Sequence, residues 1–224
     1  MIEPTLERER AELARYPLII ACDEVGRGAL AGPVAVGAVA MEASFLDASA
    51  GRRRIPEGLR DSKLVPEKRR AALARAAAAW VAQSAVGWAS ADEVDEIGII
   101  PALGLAARRA LADLKAHGVP IEEALVILDG NHDYITRHGS PGLRVQPVVK
   151  ADRDCASAAA ASVIAKVARD DLMRIVHDDV PAYGWDRNKG YASADHRAAI
   201  REHGLSPLHR ASWAIGDASA VALF

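Results

Sequence analysis

Two adjacent acids, Asp23 and Glu24, close an apolar run and are followed at once by Gly26, Arg27 and Gly28. Asp129 stands directly after a second apolar run, and Asp152 just after a third. Carboxylate oxygens suit hard cations such as Mg²⁺, which keep several of their waters. Two such ions a few ångströms apart can activate water and stabilise the leaving oxygen of a phosphodiester, with no protein nucleophile. Acids held together repel one another, and a bound cation relieves that repulsion. Each acid also has a plainer use, because Asp at a strand end is commonly a turn former or a helix cap. Asp152 and Asp154 compete for the cap of the helix that follows, and spacing does not choose between them. Neighbouring residues of a strand point to opposite faces, so Asp23 and Glu24 share a site only if the strand bends or ends there.

Residues 26–31 fit the pattern G-x-G-x-x-A of dinucleotide sites. That pattern needs a helix immediately after the glycines. Here Gly32, Pro33 and a β-like run follow, and two acids precede the loop where phosphates are unwelcome. A tight turn remains open, as does a loop whose backbone N–H groups and Arg27 approach a nucleic-acid backbone. The densest basic stretch is Arg52, Arg53, Arg54, Arg60, Lys63, Lys68, Arg69 and Arg70. It is either a solvated face or a source of salt-sensitive phosphate attraction. No H-E-x-x-H pattern occurs, and His132, His138, His196 and His203 read as surface polar residues. Lys166 and Arg169 read as salt-bridge formers, and Cys22 and Cys155 as buried, inert thiols.

These residues need elements to hold them. Residues 3–15 read as a charged helix with Leu6, Leu13 and Ala14 inward. Residues 17–22 form a buried strand, and 34–39 its hairpin partner. Residues 44–62 read as loop. Pro66 opens a helix that runs to about Gln83. Residues 84–90 make a third strand, followed by a short helix from Ala91 and a longer one over 101–117. Residues 124–128 and 143–149 are strands four and five, 155–178 a long helix and 194–203 another. A hairpin followed by later parallel additions is an α/β fold with a mixed sheet, and strand ends near the centre of such a sheet are where sites form.

The chain has 224 residues and a net charge of −2, so overall charge does not announce a polyanionic partner. Length fits one domain over 1–224, with a core over about 16–178 and a C-terminal portion over about 179–224. Aromatic residues make up 4 %, so the core rests on Ala, Val, Leu and Ile and favours tight helix–sheet packing. Two cysteines are too few for a disulfide scaffold. No apolar run is long enough to span a bilayer, and the expectation is a cytoplasmic monomer.

Taken jointly, the motifs resemble the ribonuclease HII family. Residues 23–28 are similar to its D-E-A-G-R-G signature, with Val25 for the usual Ala. The resemblance continues through Leu59-Arg60-Asp61-Ser62-Lys63, Leu128-Asp129-Gly130, Lys150-Ala151-Asp152, the run 159–170, Asn188-Lys189-Gly190-Tyr191 and Ser206-Pro207-Leu208-His209-Arg210. The usual G-Y-G-T stands here as Gly190-Tyr191-Ala192-Ser193. The resemblance implies a ribonuclease H-like fold, a five-stranded mixed sheet flanked by helices, with a C-terminal helical extension that grips the duplex. It implies Asp23, Glu24, Asp129 and Asp152 as catalytic, metal-binding acids, and prefers Asp152 to Asp154. It implies Mg²⁺ or Mn²⁺, two per site, as cofactor. It implies that Gly26, Arg27 and Gly28 read the ribose 2′-OH, the group that distinguishes RNA from DNA. Lys63 is then a phosphate contact, and Tyr191 packs on the sugar of the next deoxynucleotide. The implied substrates are RNA–DNA hybrids and DNA duplexes containing ribonucleotides, cut to leave 3′-OH and 5′-phosphate ends. The implied roles are ribonucleotide removal from DNA and RNA-primer removal. The final Ala222-Leu223-Phe224 lacks the glutamine and paired aromatics of a sliding-clamp peptide, so that partner is not expected.

Overall fold

The computed structural model describes residues 3–45, 54–139 and 142–213. Arg52, Arg53 and the three C-terminal residues, on which expectations about phosphate attraction and clamp binding partly rest, lie outside those bounds. So does the side chain of His138.

Strands β1 (Leu18–Val25), β2 (Val34–Glu42), β3 (Gln83–Ala89), β4 (Ala124–Asp129) and β5 (Arg144–Val148) form one sheet in the order β3-β2-β1-β4-β5. β1–β2 and β2–β3 are antiparallel, while β1–β4 and β4–β5 are parallel. Helices α1 (Glu7–Leu13), α2 (Glu67–Trp80), α3 (Ala91–Ile97), α4 (Ile99–Ala116), α5 (Ala151–Asp154), α6 (Ala156–Asp179), α7 (Trp185–Asn188) and α8 (Ala194–His203) surround it. The mixed five-stranded sheet flanked by helices is as expected.

The period of two along β1 divides the core. Leu18, Ile20 and Cys22 join β2 and the α3–α4 layer, whereas Ile19 and Ala21 join α2 and α6. The scarcity of aromatics is met by close approach of helix to sheet. A Cβ on Gly37 of β2 would lie 2.4 Å from the Ala161 carbonyl of α6, and one on Gly87 of β3 2.0 Å from the Ala106 carbonyl of α4. Side chains at those two positions would push both helices off the sheet.

Several boundaries differ from expectation. β1 continues three residues past Cys22, because β2 stays paired with it as far as Val25↔Ala35. α2 stops at Trp80, since Val81 is already extended and leads into β3. The inner face of α1 carries Glu9 and Glu12 as well as Leu6, while Ala14 is exposed. Glu9 is buried for a reason: its Oε1 accepts from the Ser157 N–H and hydroxyl, both at 2.8 Å. An acid from α1 thereby satisfies an orphan donor in the first turn of α6. Neither Asp152 nor Asp154 caps α6. The capping position falls to Cys155, which makes no side-chain cap bond, and the exposed Asp154 pairs with Arg153 at 2.7 Å.

Beyond α6 the chain builds a smaller cluster of Met173, Tyr183, Trp185 and Ile200 against Ala31. Tyr183 and Trp185 stack with ring centroids 5.1 Å apart. Ser193 accepts from the His196 N–H and so starts α8, a use for the hydroxyl retained in the 190–193 segment.

Candidate active site

The acids meet where the sheet divides. The β1–β4 ladder ends at Cys22↔Leu128, and the next residue of β4, Asp129, keeps only its β5 partner, Val148. β1 runs on beside β2 alone. Asp23 and Glu24 lie on this last stretch of β1, which ends one residue further on, at Val25. Both can still serve one site because β4 no longer occupies the space beside them. One oxygen from each of Asp23, Glu24 and Asp129 lies within 4.8 Å of the others. Asp152 stands next to this group and outside its tight triangle: its backbone N–H donates to Asp129 Oδ1 at 3.3 Å.

The electrostatics are those of an overcharged anion site. Burial holds the Asp23 carboxyl well above the usual range, and Glu24 and Asp129 push it further. Burial and Asp129 also raise Glu24, against the pull of Arg27, whose guanidinium lies 3.7 Å away. Asp129 is raised by burial, although backbone N–H groups of Asp152 and Ala151 donate to it. Asp152 is lifted to about 6 by burial and by Asp129. Burial works against the Lys63 ammonium, but Asp61, Asp23, Asp152 and Glu24 outweigh it and raise that group. Five carboxylates, Asp61 included, against the cations of Arg27 and Lys63 leave an excess negative charge. Three carboxylate oxygens at this spacing fit a hard divalent cation.

That excess sets a testable sign. In the metal-free protein Asp23 releases its proton at a higher pH when folded than when unfolded. The unfolded chain therefore ionises first, and stability falls as pH rises from the ordinary Asp range through the raised folded value. Asp23→Asn removes this cost while keeping an acceptor for Ser162, which hydrogen-bonds Asp23. The expected outcome is a higher thermal midpoint for metal-free Asp23→Asn than for wild type at pH 7, at roughly 2–4 °C per kcal/mol, and little difference near pH 4. A midpoint equal to or below wild type at pH 7 would count against an overcharged site.

A cleft of about 570 Å³ opens beside Asp23 and Glu24. Gly26, Arg27, Gly28, Lys63 and Tyr191, the five expected substrate contacts, all line it, whereas Asp129 and Asp152 do not. Ser62, Arg70, Ser162 and Lys166 complete much of the wall. Ser62 and Ser162 hydrogen-bond each other at 3.0 Å and join the 61–63 turn to α6 behind Asp23. Asp170 holds Lys166 at 2.6 Å and Arg70 at 3.6 Å, so the expected Lys166 ion pair is present. The cations of Lys166 and Arg169 lie 5.6 and 5.3 Å from the centre of the Tyr191 ring.

Other residues are placed differently from expectation. Arg169 forms no salt bridge among the described residues. It is fully buried and donates to the carbonyls of Pro33, Lys189 and Ala31 at 2.9, 2.9 and 3.1 Å. His196 is no surface residue; it is fully buried, accepts from Trp185 Nε1 at 3.1 Å and has its Nδ1 2.9 Å from the Tyr191 carbonyl. Burial lowers its pKa, and burial together with His196 takes His209 down to about 4. Both rings are accordingly neutral at pH 7. The thiols of Cys22 and Cys155 are buried, as expected, and burial pushes both up to about 12. Arg210 stands in the sequence only as part of the 206–210 motif, with no role assigned to it. Beyond that motif, the sequence around it offers no acid within six positions as a local ion-pair partner.

Acids gathered at the division of this sheet, with helices on both faces, define a ribonuclease H-like fold. It is shared with the crystal structure of ribonuclease H2 from Pyrococcus horikoshii, at a TM-score of 0.63 and 21 % identity over 89 % of this chain and 95 % of that one. It is also shared with a Bst-RNase HIII solved in complex with Mn²⁺, at a TM-score of 0.70 and 22 % identity over 91 % and 70 % of the two chains. The family model for ribonuclease HII matches residues 20–215. The ribonuclease HII of Streptomyces avermitilis is 46 % identical over 214 residues, covering 96 % of this chain and 84 % of that protein. The chain belongs to the ribonuclease HII family. It is accordingly a ribonuclease H, a hydrolase acting on RNA–DNA hybrids with divalent metal ions. Among the described residues, no helix is long and apolar enough to cross a membrane.

Proposed function

We propose that this ribonuclease cuts on the 5′ side of ribonucleotides, both in hybrids and singly embedded in DNA duplexes, leaving 3′-OH and 5′-phosphate ends. The observation that carries this reading is the carboxylate triangle of Asp23, Glu24 and Asp129, two of whose acids, Asp23 and Glu24, line a cleft that the glycine loop also lines. In this reading Asp23, Glu24, Asp129 and Asp152 hold two Mg²⁺ or Mn²⁺ ions. Such ions, when bound, lower the pKa of water and stabilise the leaving oxygen.

The chain's own residues supply placement. Gly26, Arg27 and Gly28 present backbone donors to the 2′-OH. Tyr191, backed by two cations, offers a flat face to the sugar of the following deoxynucleotide. Lys63, its proton held more firmly by the surrounding acids, attracts a phosphate. The segment over about 179–224 grips the duplex as part of a single 1–224 domain. The protein works as a cytoplasmic monomer in the removal of ribonucleotides from DNA and of RNA primers.

Mapping the cut and its ends tests the reading. A DNA duplex with one ribonucleotide should be nicked immediately 5′ of it, leaving a 3′ end that a polymerase extends directly. A cut on the 3′ side, or a blocked 3′ end, would overturn it. The phosphate role of Lys63 has its own readout. Lys63→Ala should lower the slope of log K against log salt by about one unit. An unchanged slope would remove Lys63 from the contact set.

A further inference from the structure

The glycine loop is held from behind by a residue far away in sequence. Arg210 is fully buried, and among the described residues no acid forms an ion pair with its guanidinium. It donates to backbone carbonyls of the loop: to Gly26 at 2.7 Å, to Arg27 at 2.9 Å and to Gly32 at 3.1 and 3.3 Å. The main chain adds to this clamp. Arg210 N–H donates to the Leu30 carbonyl at 2.9 Å, and Gly32 N–H to the Leu208 carbonyl at 2.7 Å. On the other side Leu30 and Ala31 donate to the Gly190 carbonyl.

A trans peptide unit points its C=O and its N–H in opposite directions. The Gly26 carbonyl shares its unit with the Arg27 N–H, and the Arg27 carbonyl with the Gly28 N–H. Arg210 draws both carbonyls inward, so those two N–H groups face outward on a loop that lines the cleft. Neither N–H donates to another group among the described residues. An arginine is suited to this task, because its planar fork reaches several acceptors at fixed angles where a lysine offers a point charge.

We propose that Arg210 is the positioning residue for ribose recognition: by fixing the Gly26 and Arg27 carbonyls it aims the Arg27 and Gly28 amides at the 2′-OH. This rests on the reading that the loop recognises that hydroxyl. Discrimination between RNA and DNA is then set from the C-terminal segment, by a residue that touches no substrate atom.

The test compares two constants in Mg²⁺ for wild type, Arg210→Lys and Arg210→Ala. One is KM for a duplex carrying a single ribonucleotide, and the other is the Ki of the same duplex made wholly of DNA, acting as competitor. Phosphate contacts contribute to both, whereas the 2′-OH contributes only to the first. Arg210→Lys keeps the charge and much of the stem but loses the fork. It should raise KM at least ~10-fold, the equivalent of about one hydrogen bond or more, while Ki stays within twofold; Arg210→Ala should raise KM further. A parallel rise of KM and Ki, an unchanged ratio, or loss of the thermal unfolding transition in the Lys variant would each overturn the proposal and leave Arg210 a purely structural residue. Failure of the underlying reading looks different: wild type itself would then show a Ki close to its KM.

Discussion

Asp129→Asn should reduce the single-turnover rate of hybrid cleavage by at least ~10³-fold, about 4 kcal/mol of barrier, with the fold intact. Asp129 is the only acid of the triangle that comes from β4, and its charge bears on both Asp23 and Glu24. Asparagine offers a cation one neutral oxygen and sets an N–H₂ donor where a second ligand oxygen stood. The retained oxygen still accepts the Asp152 N–H now donated to Oδ1, one of the two backbone donors that Asp129 holds. Removing one negative charge also relaxes the other two acids toward their ordinary range. The metal-free variant should therefore unfold no earlier than wild type. Rapid-quench cleavage beside a thermal melt measures both halves. A rate within tenfold of wild type would remove Asp129 from the catalytic centre, and a lowered melt would mean that the loss is one of folding.

Gly26→Ala is expected to have the second largest effect, and by a different route. Gly26 sits at φ +83°, a region costly for any residue with a Cβ. An added Cβ would lie 2.1 Å from Arg169 Nε and 2.8 Å from its Cδ and Cζ. A flexible side-chain end commonly yields to such a contact. Arg169 cannot yield cheaply, since three carbonyls hold it under the Tyr191 ring. Backbone strain and overpacking together should cost about 2–5 kcal/mol of stability. Misplacing the loop by as little as an ångström should lower kcat/KM by about 10²-fold. Gly28→Ala supplies the contrast. No atom lies within 4 Å of a Cβ built there, so the free protein should keep its melting temperature. Any loss of activity in Gly28→Ala then comes from the substrate side of the loop. Equal melting of Gly26→Ala and wild type would contradict the packing described for Arg169.

Much of this was legible from local pattern. The apolar runs at 18–22 and 124–128 state which strands are buried and where Asp23 and Asp129 must emerge. Gly26 and Gly28 announce a loop, and the absent helix after them removes a dinucleotide site. What was not legible depends on pairing between distant segments. No property of residues 23–25 tells that β4 leaves β1 at Cys22 while β2 stays, and that divergence is what lets two adjacent acids share a site. His196 looks polar and exposed in its own helix, yet Trp185 and Tyr191 supply its hydrogen bonds from outside that helix. Arg169 and Arg210 satisfy their charges with backbone carbonyls, which carry no side-chain signature. Glu9 is read from sequence as solvent-facing because its partners, 148 residues away, are invisible to any local window.

The carboxylate triangle itself is tested most directly by locating Mn²⁺ in crystals of the protein through its anomalous scattering. The account predicts a peak coordinated by Asp23, Glu24 and Asp129, with any second peak on the Asp152 side of Asp129. Mn²⁺ bound elsewhere, with none at the triangle under conditions in which the enzyme cuts hybrid, would contradict it.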